Sequence, residues 1–336
     1  MLSKIIRQII NESLKSNPCE IKIRYNEPIK AYTTFNVGGP ADCLIGFCAE
    51  DAAGNGDNFP LFCCDLLNRS KIEGVPVFIL GGGANIVVSD KGIRGIVVDM
   101  TSWKGLSEYD PVNNQPLNED ILILKSGTKI DDAVNIAAEK SLCGLEFLAG
   151  MPGTIGGALW MNARCYGSEI ADALSWTQII TNEECDKQKY FFKKIENKNG
   201  EGFGYKQSPF QKMDCLILNA AFKLNKTDKD EILTDINKYR LDRKEKGHYL
   251  FPCAGSAFKN NHAFGKPTGQ LIDECGLKGM KSGGAQVAPF HGNIIINADN
   301  ASASDIRSLT DEVAAKVKAA TGFDLEPEIL FVGEWA

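Results

Sequence analysis

The feature that most constrains the fold is a run of three glycines between two short apolar segments, in the stretch VFILGGGANIVVSD from Val77 to Asp90. Val77 to Leu80 is typical of a buried strand, and Ile86 to Val88 predicts a second one. Three consecutive glycines let the backbone adopt positive φ and, lacking Cβ atoms, approach a ligand closely. Successive backbone N–H groups in such a loop can bind a phosphate or pyrophosphate. A tight turn between two strands is the alternative, and this stretch alone does not decide between them.

The loop matches neither of the two common nucleotide-binding motifs. G-x-G-x-x-G requires a glycine where the chain has Ile86, and G-x-x-x-x-G-K-[ST] has no match, since Lys281-Ser282 follows Met280. The segment after the loop, Gly95 to Met100, is typical of a strand and not of a helix. The sequence therefore disfavours Rossmann and P-loop folds and predicts a phosphate loop between strands.

Composition limits the possible classes of protein. A chain of 336 residues predicts two or three subdomains, and 43% hydrophobic with 24% charged residues is typical of a soluble globular protein. The net charge of −6 argues against nucleic acid as a partner. Eleven cysteines without a C-x-x-C pair, and only three histidines, predict no metal site and reduced thiols in the cytoplasm. No apolar run is long enough for a membrane span, and residues 1–17 predict an amphipathic helix and not a signal peptide.

Hydrophobic periodicity predicts further elements along the chain. Helices are expected from Asp228 to Lys246 and from Asp305 to Ala320, and strands at residues 121–124, 294–297 and 328–332. Thr128 or Asp131 is expected to cap a helix that contains Val134. The alternation of helices and strands predicts an α+β fold with mixed sheets.

The connections have their own signals. Residues 50–70 are expected to be irregular, with a surface turn from Gly54 to Asn58, and residues 182–200 to form an exposed hairpin. Residues 107–120 predict either a hairpin tip or a subdomain junction, and residues 251–260 a Gly-Ser turn between aromatic side chains. A second glycine-rich stretch, from Gly144 to Ala158, suggests backbone pressed against a flat ligand, with a packed turn as the alternative.

Three features taken together resemble one enzyme family. They are the strand–GGGANIVVSD–strand loop, the stretch GMPGTIGGALWMNA from Gly150 to Ala163, and the C-terminal set CAGSAFKN, GQLIDECGLKG, GGAQV and LEPEILFVG. From Thr33 to Gly333 the chain resembles UDP-N-acetylenolpyruvoylglucosamine reductase, the flavoenzyme of peptidoglycan precursor synthesis. The short path from Tyr166 to Phe203 is similar to the form of that family without an extra tyrosine-bearing loop.

The resemblance implies a specific architecture and specific cofactors. The fold would be α+β, with a two-subdomain FAD-binding domain of the PCMH (vanillyl-alcohol-oxidase) type and a smaller α/β substrate-binding domain. Residues 1–100 and 101–213 would form the two FAD-binding subdomains and 214–336 the substrate-binding domain, whose last strand could return to the FAD domain. FAD would be held non-covalently, NADPH would be the co-substrate, and a monomer is expected.

The resemblance also assigns FAD-binding residues. The pyrophosphate would lie on Gly81, Gly82, Gly83, Ala84 and Asn85. The adenosine and ribityl side would lie along the second stretch, at Pro152, Gly153, Thr154, Ile155, Gly156 and Gly157, with Asn162 and Ala163 close by. Both assignments agree with the residue types, because backbone amides and absent side chains suit a long nucleotide.

The family reaction is a two-stage hydride relay from NADPH through the flavin to C3 of the enolpyruvyl group of UDP-N-acetylglucosamine enolpyruvate. Ser256 matches the family's proton donor to C2, and Glu328 its catalytic glutamate. A serine hydroxyl is a weak acid, but an enolate is a strong enough base to take its proton. The family has an arginine after Phe-Gly-Tyr, where this chain has Lys206, which keeps the charge but loses the planar fork of donors.

Substrate-binding candidates and one further departure complete the site. The candidates are Asn260, Lys259, Tyr205 and Gln286, whose side chains suit a uridine diphosphate and a carboxylate. The departure is Arg164-Cys165, where the family more often has small residues before Tyr-Gly. Cys165 could tether a flavin, but a buried free thiol is the expectation.

Two other functions remain open at this point. The first is an FAD-dependent oxidoreductase of the same fold that acts on another small substrate. Ser256 and Glu328 argue against it, since oxidation of an alcohol needs a base and not a donor of a proton to carbon. The second is a non-catalytic homologue, for which Lys206 is the only indication.

Overall fold

The computed structural model describes residues 2–48, 58–111, 113–182 and 189–335. Contacts between Cα atoms divide the chain into two compact units. The first unit contains Met1–Tyr25, Cys43–Gly82 and Gly95–Arg240, and the second contains Asn26–Asp42, Gly83–Arg94 and Leu241–Ala336.

The α-helices, in chain order, are α1 (Leu2–Ser16), α2 (Asn58–Ile72), α3 (Ile130–Glu139), α4 (Ile155–Trp160), α5 (Ile170–Ala173), α6 (Lys229–Glu245), α7 (Thr268–Glu274) and α8 (Ala303–Thr321). Short 3-10 helices are Ile29–Tyr32, Glu146–Leu148, Pro209–Lys212 and His262–Phe264.

The strands are β1 (Ile21–Pro28), β2 (Pro40–Phe47), β3 (Val77–Leu80), β4 (Ile86–Val88), β5 (Ile93–Asp99), β6 (Leu106–Ser107), β7 (Ile121–Lys125), β8 (Leu142–Cys143), β9 (Arg164–Cys165), β10 (Ser168–Glu169), β11 (Leu174–Thr181), β12 (Phe191–Glu196), β13 (Cys215–Lys223), β14 (Asn225–Lys226), β15 (Cys253–Ser256), β16 (Lys281–Ser282), β17 (Ala285–Val287), β18 (Ile294–Asn297) and β19 (Leu330–Val332). Mixed helix and strand content confirms the predicted α+β class.

The first unit is built on two sheets. An antiparallel sheet has the strand order β12-β11-β13-β7-β6, and its core includes Leu124 of β7, Phe222 of β13 and Ile236 of α6. A second sheet has the order β1-β2-β5-β3, in which β3 and β5 are parallel. Helices α1 and α2 pack against it through residues such as Ile9 and Phe62, which are at most 2% exposed. The apolar positions of the strands and helices thus face two shared cores.

The second unit is built around α8. An antiparallel sheet has the order β15-β18-β17-β16, and β19 pairs in parallel with β4. Ile306 and Leu309 of α8 are fully buried in the core of this unit. The capping box of Ser302 and Asp305 begins the helix, and Gly322 in the left-handed region ends it. The predicted helix is confirmed.

One helix was missed by the sequence analysis. Residues 58–72, of which 58–70 lie in the segment predicted to be irregular, form α2. Its buried side chains, Phe59, Phe62, Cys63 and Leu66, follow helical spacing. The irregular prediction was wrong because these apolar side chains form one buried helical face, packed in the core of the first unit. Of the predicted turn from Gly54 to Asn58, residues 54–57 lie outside the described residues, and Asn58 is the first residue of α2.

Two local predictions were also wrong. Thr128 and Asp131 do not cap α3, because the Thr128 hydroxyl bonds to Gly105 and the Asp131 carboxylate accepts from the Gly150 N–H at 2.8 Å. The N-cap of α3 is Lys129, which makes no side-chain capping bond. Residues 253–256 form strand β15 and not a turn, with Gly255 at φ +73°.

Both segments that were predicted to be hairpins adjoin antiparallel strands. The described residues between β6 and β7 form a hairpin, because these strands are antiparallel and Tyr109 bridges to Pro116. Val112 lies outside the described residues. Strands β11 and β12 are also antiparallel, with Thr181 opposite Phe191. Most of the connection between β11 and β12, residues 183–188, lies outside the described residues.

Candidate functional site

The two glycine-rich stretches meet in the first unit. A Cβ atom added to Gly81 would lie 2.7 Å from the hydroxyl oxygen of Thr154, and one added to Gly82 would lie 2.7 Å from the Cα of Gly153. Such distances are too short for any real side chain. The glycines therefore permit close approach of one loop to the other, and both stretches belong to one patch.

The same patch contains buried polar atoms without partners. The hydroxyl of Thr154, the side-chain carbonyl of Asn162 and the hydroxyl of Ser126 make no hydrogen bond within the described residues, and all three residues are at most 2% exposed. A buried polar atom left unpaired costs about 1–3 kcal/mol. A ligand rich in hydrogen-bonding groups would satisfy these atoms. A glycine cradle with unsatisfied polar atoms fits a dinucleotide such as FAD.

The rest of the glycine loop belongs to the second unit. Gly83 adopts φ +59°, and a Cβ there would lie 2.0 Å from the carbonyl oxygen of Tyr32. Asn85 is held at two points, since its side-chain amide donates to the carbonyl of Glu328 at 3.0 Å and its own carbonyl accepts from the Leu330 N–H at 3.0 Å. The loop is therefore bonded to the segment that contains the predicted catalytic glutamate.

Ser256 and Glu328 are brought together within the second unit. Ser256 ends β15, opposite Ile294 of β18, and is half-buried. The backbone N–H of Glu328 donates to the carbonyl of Ala257, the residue after Ser256, at 2.8 Å. Glu328 is 8% exposed. Two residues that are 72 positions apart in the chain thus lie on adjacent backbone segments, as a shared site requires.

The predicted substrate-binding residues of the second unit make internal contacts. The Lys259 ammonium pairs with the Glu326 carboxylate at 2.5 Å. The Asn260 side-chain oxygen accepts from the N–H of Thr268, the first residue of α7, at 2.9 Å. The Gln286 amide donates to the Gly279 carbonyl at 3.0 Å. These bonds fix where each side chain lies.

Tyr205 and Lys206 lie in a tight turn of the first unit. Gly204 bridges to Gln207 across the turn, and Lys206 adopts φ +56°. That conformation is uncommon for a residue with a Cβ atom and is typical of functional turns. The Tyr205 ring is 37% exposed.

One residue was not assigned by sequence reasoning. Arg164 of β9 was noted only as a departure from the family pattern, yet its guanidinium carbon lies 5.9 Å from the centre of the Tyr205 ring. The neighbouring Cys165 thiol donates to the Phe147 carbonyl at 2.8 Å. A signal for Arg164 was present in the sequence, because the chain departs from the family pattern twice. It has Lys206 in place of an arginine, and it has an arginine at position 164 in place of a small residue.

No cluster of three or more His, Cys, Asp or Glu side chains among the described residues could hold a metal ion. No helix in the same residues is both long and apolar enough to cross a membrane.

Two family models match the chain. The C-terminal domain of UDP-N-acetylenolpyruvoylglucosamine reductase matches residues 246–332, and an FAD binding domain matches residues 63–184.

Several relatives match more than three quarters of the chain. The UDP-N-acetylenolpyruvoylglucosamine reductase of Treponema denticola is 41% identical over 322 residues, which cover 93% of this chain and 94% of the relative. That of Borreliella burgdorferi is 43% identical over 78% of this chain and 82% of the relative. The crystal structure of the enzyme from Thermus caldophilus has a TM-score of 0.69 and 30% identity, covering 93% of this chain and 99% of that one.

Proposed function

We infer the function from the family: the chain belongs to the UDP-N-acetylenolpyruvoylglucosamine reductases. It is an FAD-binding oxidoreductase of the PCMH type with a smaller C-terminal domain. Its reaction is the NADPH-dependent reduction of UDP-N-acetylglucosamine enolpyruvate to UDP-N-acetylmuramate, a step of peptidoglycan precursor synthesis. One observation favours this reaction over others of the same fold, namely the adjacency of the Ser256 and Glu328 segments.

The residues that would hold FAD are 81–85 and 152–157, together with Asn162 and Ala163, and we call this set the glycine patch. The buried unpaired atoms of Thr154 and Asn162 and the absence of side chains at Gly81 and Gly82 support this assignment. Backbone N–H groups would bind the pyrophosphate in the same loop. When bound, FAD supplies two-electron transfer between NADPH and the substrate.

Ser256 would donate the proton. Addition of a hydride to C3 of the enolpyruvyl group leaves an enolate, and a proton at C2 completes the saturated product. The Ser256 hydroxyl can supply that proton because the enolate is a strong base. Its place at the end of β15, in a half-buried position, supports a fixed orientation for this donor.

Glu328 and Lys206 would act on the substrate carboxylate and on the charge that develops next to it. Glu328 is only 8% exposed, so its carboxylate is shielded from water. It would therefore orient a polar group of the substrate more strongly than it could in solvent. Lys206 would supply positive charge for the enolate. Asn260, Lys259, Tyr205 and Gln286 would bind the remaining polar groups of the substrate.

The finer features of the protein are part of the same proposal. We assign residues 1–100 and 101–213 to the two FAD-binding subdomains and 214–336 to the substrate-binding domain. The chain would act as a cytoplasmic monomer, in the form of the family without the extra tyrosine-bearing loop.

An anaerobic absorbance trace of the purified protein in the flavin bands tests the proposal. NADPH is added first and UDP-N-acetylglucosamine enolpyruvate second. We expect bleaching and then full recovery. Bleaching without recovery would indicate an FAD-dependent oxidoreductase with another acceptor, and consumption of NADPH without product would indicate a non-catalytic homologue.

A further inference from the structure

We propose that Arg164 binds the substrate carboxylate together with Lys206, as a second cation of the site. This inference depends on the proposed function, because it assigns a role in binding the same substrate. It goes beyond the residues that the family resemblance supplies, which include Lys206 but not Arg164.

The position of Arg164 carries the argument. Its guanidinium carbon lies 5.9 Å from the centre of the Tyr205 ring, and Tyr205 directly precedes Lys206 in the chain. A cation near 6 Å from a ring centre is at the outer limit of a cation–π contact, so the ring orients Arg164 weakly. Arg164 therefore lies near the exposed ring of the residue that precedes Lys206.

The two segments are also fixed to each other within the first unit. The Asn162 side-chain amide donates to the Gly204 carbonyl at 2.9 Å, and the Ser208 hydroxyl donates to the Trp160 carbonyl at 2.7 Å. The Gln211 amide donates both to the Trp160 carbonyl at 2.8 Å and to the Lys206 carbonyl at 3.1 Å. These bonds hold the turn that contains Lys206 against the segment that leads to Arg164, so the backbone at Lys206 is fixed relative to that segment.

The guanidinium of Arg164 is available for a ligand. Arg164 is exposed, and the described residues show no ion pair to it. The residue opposite it in the β9–β10 pair is Glu169. The Glu169 carboxylate is engaged in the capping box that begins α5. An arginine with no carboxylate partner among the described residues retains its planar fork of N–H donors, which matches a carboxylate in a bidentate way.

The chemistry of the two side chains is complementary. Lysine provides a point charge without a fixed direction, whereas a guanidinium both binds and orients a planar carboxylate. The family resemblance implies an arginine where this chain has Lys206, and a small residue where it has Arg164. Arg164 lies near the ring of Tyr205, and Tyr205 is the residue before Lys206. Arg164 would therefore supply the orientation that Lys206 cannot.

The test compares variants at Arg164 in the intact flavin-loaded enzyme. Arg164→Gln is expected to lower kcat/KM for the enolpyruvyl substrate by about tenfold to a hundredfold, because a charged hydrogen-bond partner is lost. Most of the loss should appear as a higher KM, while the rate of flavin reduction by NADPH stays unchanged. Arg164→Lys should recover only part of the loss, since charge returns without the fork.

A matched control is available in the same unit. Arg7 lies over the ring of Tyr25, with its guanidinium carbon 4.0 Å from the ring centre, and neither residue belongs to the glycine patch or to the turn of Lys206. Arg7→Gln should leave both half-reactions unchanged. A reciprocal variant, Arg164→Gln combined with Lys206→Arg, should recover part of the lost kcat/KM. The reason is that a guanidinium, with its planar fork of N–H donors, returns to the site at position 206.

The outcomes separate this inference from the proposed function. If the wild-type enzyme does not reduce the substrate, the proposed function fails. If it does, but Arg164→Gln matches Arg7→Gln in kcat/KM, the function stands and the role of Arg164 is wrong. Loss of bound flavin, or of its reduction by NADPH, in both Arg164 variants would mean a structural role and would also overturn the inference.

Discussion

Ser256 makes the sharpest prediction for a single side chain. Ser256→Ala should lower the rate of substrate reduction by about 10²- to 10⁴-fold, the usual contribution of a general acid. Flavin reduction by NADPH should continue, since no proton to carbon is needed there. Stopped-flow absorbance measures the two half-reactions separately. The control is Ser308→Ala, on the exposed face of α8, and an equal effect of both substitutions on substrate reduction would exclude Ser256 as the donor.

Asn85 has a role that its place in the glycine loop does not reveal. Its side-chain amide donates to the carbonyl of Glu328, and an aspartate there cannot donate this bond. Asn85→Asp should lower the free energy of unfolding by about 1–3 kcal/mol. It should also reduce kcat, because the backbone of Glu328 loses a hydrogen bond that holds it in place. Urea unfolding and steady-state rates measure both. Asn58→Asp, which removes an exposed bond to the Pro18 carbonyl, is the control and should change neither.

At the residue scale, the sequence predicted the site residues that lie within short motifs. It did not predict the contacts between residues that are distant in the chain. Ser256 and Glu328 could be named because each lies within a recognisable local pattern. The bond from Asn85 to Glu328 joins residues 243 positions apart, and the contact of Arg164 with Tyr205 joins two different motifs. Such contacts depend on tertiary packing, and no local pattern encodes them.

At the scale of elements, the N-terminus of α8 is held by a residue outside the helix. The Asp90 carboxylate accepts from the N–H groups of Ala303 and Ser304, each at 2.9 Å. A carboxylate at a helix N-terminus satisfies free N–H groups and favours the helix dipole. Asp90→Ala should therefore lower the free energy of unfolding by about 1–2 kcal/mol, as loss of a cap usually does.

Urea unfolding followed by circular dichroism measures this effect. Asp90→Asn keeps an uncharged acceptor and should give an intermediate loss. Asp311→Ala, at an exposed position in the interior of α8, is the control for removing one negative charge. If Asp90→Ala were no more destabilising than Asp311→Ala, the proposed capping role would be wrong.

Elements with strong periodicity and clear ends were predictable, and α8 has both. Its apolar residues recur at helical spacing, and a capping box and Gly322 mark its ends. The start of α3 could not be found in this way, because Thr128 and Asp131 bond instead to Gly105 and Gly150, which are remote in sequence. Polar side chains near a helix start have several possible partners, and tertiary contacts decide among them.

At the scale of the whole molecule, the alternation of predicted helices and strands indicated the α+β class. It did not predict the order of the strands in each sheet. The division of the glycine loop between two contact-defined units, after Gly82, could not be deduced from the loop itself. Three glycines permit many backbone paths, and the path taken depends on neighbours such as Gly153 and Tyr32, with which added Cβ atoms would clash. The motif set predicted the family because the order of several motifs is more specific than any one of them.

Global stability should depend on pH through a half-buried histidine. Burial, followed by the nearby Arg243, His291 and Lys246, lowers the pKa of His248 from its ordinary value of 6.5 to about 4. Between these values His248 binds more protons in the unfolded chain than in the folded one. Its contribution to stability is therefore fully present above pH 6.5 and is lost as the pH falls toward 4. His248→Gln should flatten the dependence of the urea midpoint on pH in this range. His262→Gln, at an exposed position, should leave it as in the wild type, and an equal slope for all three proteins would show that His248 does not control acid stability.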